Sequence, residues 1–145
     1  MDVNLYIKVS LKGPKRKSGA YQYLLNAETS KGPQPRGAKK TIEETTAHHL
    51  TLLALEEALG RMRKPSEIHI YLDEPYVCNV FRRGWIEEWK QNGWVNARNK
   101  PVVDAELWRN IAKLLDEHLY DFHVGEEHEY TEWMNWKMEK EDYYV

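Results

Sequence analysis

The sequence predicts an α/β domain, a mixed five-stranded sheet with helices on both faces and a weak third strand. Three observations lead there. Short runs that alternate apolar and polar residues open the chain and recur near residues 66 and 120, separated by stretches of helical period. In "SEIHIYLDEPYVCNVF", Ile68, Ile70 and Leu72 alternate as in a strand, Asp73 stands at its end, and Pro75 suits the first position of a helix. The C-terminal edge of a strand is where open α/β sheets place their chemistry. Finally, 145 residues suffice for a single domain, 1–145, with a substantial core.

The elements follow in order. "NLYIKVSLKG" and "GAYQYLLNA" read as two strands joined by the charged turn "GPKRKSG". "ETSKGPQPRGAKK" holds two prolines and two glycines without alternation, so a third strand there is expected to be short or irregular. Thr41 with Glu44 matches a capping box, with Thr45 and Thr46 as rival caps. The helix that follows should reach about Lys64, with Leu52, Leu55, Leu59 and Met62 as its apolar stripe and Pro65 as its stop. After the strand ending at Asp73 come two short helices parted by Gly84, then the loop "NGWVNARNKP". Asp104 opens a helix carrying Leu107, Trp108, Ile111 and Leu115. "YDFHVG" is the last strand, and residues 128–143 are expected to form the last helix. No internal repeat or low-complexity segment interrupts this order.

Composition narrows the setting. No apolar run is long enough to span a membrane and no basic-then-apolar leader is present. A lone cysteine, Cys78, excludes an intramolecular disulfide and fits a reducing cytoplasm; its expected place is the buried face of a short helix. No Cys/His spacing suggests structural zinc, and the adjacent His48 and His49 should point to different sides of their helix. The net charge of -2 conceals a gradient: residues 1–40 carry nine Lys/Arg against Asp2 and Glu28, whereas residues 104–145 carry twelve Asp/Glu against four Lys/Arg.

Residues 68–115 carry a resemblance. "IYLDEPYV" resembles the strand-Asp-Ser-x-Tyr-Val block of type 1 ribonuclease H. "WIEEWKQNGWVNARNKPVVDAELW" resembles the same family's Trp-x-x-x-Trp-Lys-x-x-Gly-Trp block through Lys-Pro-Val to Asp-x-x-Leu-Trp. Element order extends the likeness over nearly the whole chain, weakest at residues 30–40. The resemblance implies a ribonuclease H-like fold. It also implies an activity, cleavage of the RNA strand of RNA–DNA hybrids with two Mg²⁺ ions held by four acidic residues.

Those acidic positions carry over one by one. The family's first aspartate falls on Lys8 in "YIKVS", with Val9 on a glycine that approaches the RNA strand. Its helix glutamate falls on His49 in "TTAHHL", with Thr45 and Thr46 on paired asparagines that read the hybrid. Asp73 matches the third acidic residue, Trp136 falls on the fourth, and Glu126 lies near the family's mobile histidine. Mg²⁺ requires oxygen ligands, which neither an ammonium nor an indole supplies. At an effective dielectric of about 20, unit charges ~4 Å apart interact by roughly 4 kcal/mol, so Lys8 opposes any cation at Asp73. The resemblance thus implies a catalytically degenerate member, a pseudoenzyme, with no intact catalytic or metal site. A rebuilt Zn²⁺ or Mn²⁺ site from His49, Asp73 and Glu126 or Glu127 is the sharper alternative. A shifted register that uses Glu43, Glu44, Glu56, Glu129 or Glu132 is another.

The family's tryptophan–lysine block grips a duplex backbone, which puts Arg82, Arg83, Lys90, Trp94, Arg98 and Lys100 forward as nucleic-acid contacts, with Thr45 and Thr46. The structural alternative makes Trp85, Trp89 and Trp108 core anchors and the charges a solvated rim. Three functions are consistent with the sequence. They are a non-catalytic module binding a nucleic acid duplex (RNA–DNA hybrid or DNA), a scaffold for a protein partner, and a divergent but active Mg²⁺-dependent nuclease. None of the three involves a membrane.

Overall fold

The computed structural model describes residues 1–33 and 35–145. Five long strands form the sheet: β1 (Asp2–Val9), β2 (Lys17–Thr29), β4 (Arg36–Thr45), β5 (Glu67–Leu72) and β6 (Leu119–Val124). Two-residue strands β3 (Gly32–Pro33) and β7 (Tyr143–Tyr144) pair with β2 and β4. The order is β6-β5-β1-β2-β4-β7, with β1, β5 and β6 parallel and the remaining pairs antiparallel. The mixed sheet is therefore as expected, with two short strands added.

Alternation along β1 and β5 decides the two faces. Val3, Leu5, Ile7, Ile68, Ile70 and Leu72 point into the main core, where α1 (Ala47–Gly60) and α4 (Ala105–Leu115) cover them. Leu50, Leu52, Leu55 and Leu59 are at most 1% exposed, so α1 is apolar around most of its circumference because it lies between sheet and α4. The opposite face carries Tyr6 and Leu24 and is covered by α5 (Thr131–Met138), chiefly through Met134, with Tyr130 beside it. Two short helices, α2 (Pro75–Arg82) and α3 (Trp85–Gln91), follow β5, with Gly84 between them in the left-handed region at φ 71°. Cys78 is buried on α2 as expected.

Three expectations are corrected. The third long strand is not short: β4 runs ten residues, its polar sequence stabilised by partners from the C-terminal segment. It is irregular near its end, where the register against β2 shifts between Ile42 and Thr45 and Glu44 takes φ 45°. Gln34, in the segment preceding it, lies outside the described residues. The α1 cap is Thr46, whose hydroxyl accepts from the His49 N–H at 3.1 Å, while Thr41 lies in β4. The last helix ends at Met138, and the chain then turns back to pair Tyr143 and Tyr144 with β4. Asp142, Lys39 and Gln22 help to hold that return, with the Gly37–Val145 backbone pair and Arg61. Asp142 accepts from the Thr41 N–H and hydroxyl, each at 2.8 Å. Lys39, 5% exposed, donates to the Lys140 carbonyl and lies 3.6 Å from Asp142. Gln22, fully buried, donates to the Met134 carbonyl and accepts from the Tyr143 hydroxyl.

Candidate functional site

Parallel pairing of β1 with β5 sets Tyr6 opposite Tyr71, and the next outward-facing positions are Lys8 and Asp73. Lys8 Nζ lies 3.9 Å from Asp73 Oδ2. The Asp73 side chain is 71% exposed, so the pair is screened and contributes little to stability, about 0–1 kcal/mol. Its consequence is local: an ammonium sits beside the carboxylate at the strand end.

Lys8 and Asp73 border a small cleft of about 80 Å³, together with Tyr71, Glu126, His128 and Thr131. His128 stacks on Tyr6 with ring centroids 4.1 Å apart. Burial pushes its imidazole below the ordinary value, and Lys8 adds to that, against the opposing pull of Asp73 and Glu129. The cleft thus holds carboxylates, an ammonium and an imidazole biased toward neutrality. Among the described residues, no trio of metal-type ligands converges on Asp73.

The other positions separate. His49 turns toward α4, its Nδ1 3.0 Å from Asp104 Oδ1. His48 is the histidine that meets the strand end, with Nε2 3.2 Å from Glu74 and its ring stacked on Tyr76 at 4.6 Å. Trp136 is 54% exposed and lies under Lys137 and Lys140 rather than in the cleft; Thr131 and Met134 are the α5 residues that line it. Glu126 does border the cleft and bonds His123 Nδ1 at 3.0 Å. Glu56 accepts from Asn110 on α4, which removes it as a substitute helix carboxylate. The alternative set of His49, Asp73 and Glu126 or Glu127 is not assembled.

The nucleic-acid candidates divide in the same way. Thr45 is 1% exposed and withdrawn from any ligand, whereas Thr46, its hydroxyl accepting as a helix cap, borders a groove with His48, Tyr76 and Asp104. Arg82 donates to the Phe122 carbonyl at 3.0 Å. Trp89 and Trp108 are buried, their rings 5.8 Å apart, and Trp94 packs at the edge of that cluster beneath the Arg109 guanidinium. Arg82, Arg83, Lys90, Arg98 and Lys100 are all exposed, Arg82 with its guanidinium tied to the Phe122 carbonyl. Lys90 lies 3.3 Å from Glu87, and the Asn96 side chain accepts from the Arg98 and Lys100 N–H groups, shaping the loop.

One constellation escaped the sequence reading. His69 on β5 and Asp121 on β6 are directly paired in register, and His123 stands two residues further along β6 on the same face. Asp121 Oδ1 lies 2.9 Å from His69 Nδ1 and 3.1 Å from His123 Nε2. The hydrogen bond to Asp121 holds the His69 imidazole above its ordinary value, against the smaller effect of burial. The available signal was Asp-x-His in "YDFHVG", because alternate strand residues share a face.

Comparison with known proteins places this geometry. The RNase H family model matches residues 2–132. A relative named Ribonuclease H from Clostridium botulinum (strain Hall) is 32% identical over 123 residues, which is 85% of this chain and 80% of the relative. Among solved structures, a type 1 RNase H with the type 2 active-site motif superposes at TM-score 0.70 and 20% identity, covering 88% of this chain and 64% of that one. A foamy viral protease–reverse transcriptase, solved in complex with dsDNA, superposes at TM-score 0.64 and 18% identity over 93% of this chain and 86% of that one. At such identities the structural likeness concerns the fold.

Proposed function

The chain belongs to the ribonuclease H family, and from that premise we propose that it is a non-catalytic member that binds the backbone of nucleic acid duplexes. The observation that carries this reading is Lys8 beside Asp73, 3.9 Å apart where two-metal hydrolysis requires clustered carboxylates. The family implies Mg²⁺, and the residues present do not fit it. Mg²⁺ demands a nearly octahedral shell of oxygens. Here Asp73, Glu126 and Glu127 share the cleft with an ammonium and a weakly basic imidazole and, among the described residues, do not converge as a ligand trio. No hydrolytic step is therefore derived through this cleft.

Binding falls to Arg83, Lys90, Arg98 and Lys100, exposed on the segment from α2 to the loop before α4. These cations contact phosphates, whereas the positions matching the family's base-reading residues, Thr45 and Thr46, are spent on packing and capping. Recognition is by charge and shape, and the acidic Glu87 and Glu88 beside the patch keep it weak.

A second reading, a divergent but active nuclease, is favoured by the name the curated relatives share. Cleavage and binding assays on RNA–DNA hybrid, DNA and RNA duplexes, with Mg²⁺ or Mn²⁺ present, separate the two. Salt-dependent binding without cleavage supports the proposal. Metal-dependent cleavage abolished by Asp73→Asn establishes the second reading, and absence of binding at low salt points to a scaffold for a protein partner.

A further inference from the structure

We infer that His69, Asp121 and His123 form a site for a divalent cation of the zinc class, on the open face of the sheet and beside the strand-end cleft, with which it shares Tyr71 and Glu126 as neighbours but no ligand. Two imidazoles with one carboxylate are a borderline-soft donor set that suits Zn²⁺ rather than Mg²⁺. Their ligand atoms all lie within 4.8 Å of one another. Donors around tetrahedral zinc stand about 3.3 Å apart for bonds near 2.0 Å, so the 2.9 and 3.1 Å separations need to open by only a few tenths of an ångström.

The surroundings fit the same purpose. His123 bonds a carboxylate through its other nitrogen, Nδ1 lying 3.0 Å from Glu126 Oε2, while His69 Nε2 lies 3.8 Å from Asp2 Oδ1, an ion-pair distance without a hydrogen bond. Carboxylates in that position orient ligating histidines and raise their basicity. The Tyr71 ring stacks on His123 at 4.4 Å and 12°, fixing its plane. Register pairing fixes the spacing of His69 and Asp121. Asp2, Glu67, Asp121 and Glu126 gather here, and the ion pairs the structure gives them involve His69 and His123 and no lysine or arginine. That excess of negative charge favours a bound cation. The histidine side chains are 25% and 27% exposed, sheltered enough to be preorganised and open enough for an ion and one water to enter. A second trio, Asp2, Glu67 and His69, offers only one imidazole and is the poorer zinc site.

The test is calorimetric titration of the metal-free full chain with ZnCl₂, repeated with CoCl₂ and read by visible absorption. One ion per chain is expected, with the intense absorption of tetrahedral Co²⁺, and millimolar Mg²⁺ should not compete. His69→Ala and His123→Ala should each weaken Zn²⁺ binding at least tenfold, and Glu126→Gln by about tenfold. His48→Ala and Asp73→Asn should leave it unchanged. In the unmodified protein, Zn²⁺ should shift the imidazole NMR signals of His69 and His123 and spare those of His48, a readout independent of any variant's folding. Absence of saturable Zn²⁺ binding, or binding that survives His123→Ala, overturns the assignment. Loss of binding in Asp73→Asn would place the ion in the cleft instead and equally overturn it.

Discussion

Lys8 Nζ and Asp73 Oδ2 stand 3.9 Å apart at the ends of neighbouring parallel strands. A cation already occupies the space that a metal at this edge would use. The protein should therefore leave an RNA–DNA hybrid intact in Mg²⁺ and Mn²⁺, with single-turnover product no greater than that of Asp73→Asn. Carboxylates added where the structure places the cleft should create affinity. Lys8→Asp with Thr131→Asp is expected to bind Mn²⁺ measurably by calorimetry, whereas His49→Glu with Trp136→Asp gains nothing, because those side chains lie elsewhere.

The salt dependence of duplex binding tests the basic segment. Each phosphate contact contributes a slope of about -0.9 in log affinity against log salt. Arg98→Ala with Lys100→Ala should flatten the slope by about one unit for each phosphate no longer held, and weaken hybrid and DNA duplexes alike. Trp94→Ala should act through disorder of the loop, since Trp94 adopts φ 64° and packs against Trp89 and Arg109. An unchanged slope in the double variant would remove this segment from the interface.

What the sequence disclosed depended on how local each cause is. The strand ending at Asp73, the Gly84 break and the tryptophan anchors rest on alternation, glycine and bulk within a few residues, and all were legible. β4 was not, because "RGAKKTIEET" is polar and its buried Lys39 is satisfied by Lys140 and Asp142, a hundred residues away. Of the four carboxylate positions, Lys8 and Asp73 met as the alignment implies, whereas His49 and Trp136 lie apart from them. Adjacent histidines differ by one residue, and only packing shows that His48 meets Glu74 while His49 meets Asp104. The zinc-type trio joins strands fifty residues apart, which no window of sequence displays.

Acid should loosen the C-terminal return before it unfolds the core. Burial pushes the Asp142 carboxyl up, but hydrogen bonds from Thr41 and the charge of Lys39 outweigh it and hold the group below the usual carboxylate range. A depressed folded-state value contributes stability that is full above the unfolded pKa and is lost as pH falls through the folded one. The protection of the Val145 N–H against hydrogen exchange, relative to an unstructured amide at the same pH, should fall over that acidic window, since this group is bonded to the Gly37 carbonyl at 2.8 Å. Asp142→Asn should exchange faster at neutral pH and lose most of this pH dependence.

Close approach of β4 to β2 makes Gly37 intolerant of a side chain. A Cβ there would lie 2.5 Å from the Tyr23 carbonyl oxygen and 2.9 Å from a Leu24 methyl. A strand carbonyl cannot yield as a flexible side chain can, so Gly37→Ala should cost about 1–3 kcal/mol in denaturant unfolding. An unchanged midpoint would mean that the two strands separate more readily than their pairing implies.

The buried amide of Gln22 is the internal clasp for the same C-terminal segment. Its Nε2 donates to the Met134 carbonyl at 3.0 Å, and its Oε1 accepts from the Tyr143 hydroxyl at 2.8 Å. Burial pushes that hydroxyl up to about 12, so it remains a donor throughout the physiological range. Tyr143→Phe keeps the ring against Trp133 and removes only the donor, leaving a fully buried carbonyl oxygen unsatisfied. The expected cost is about 1–3 kcal/mol, accompanied by faster exchange along β7. Gln22→Leu should be at least as costly, because it strands both the Tyr143 hydroxyl and the Met134 carbonyl. The double variant should fall short of the sum, since the two changes remove one shared bond. Strict additivity would mean that the 2.8 Å hydrogen bond carries no coupling, and the segment would then be held by Asp142, Lys39, Arg61 and the backbone pairing of Val145 with Gly37.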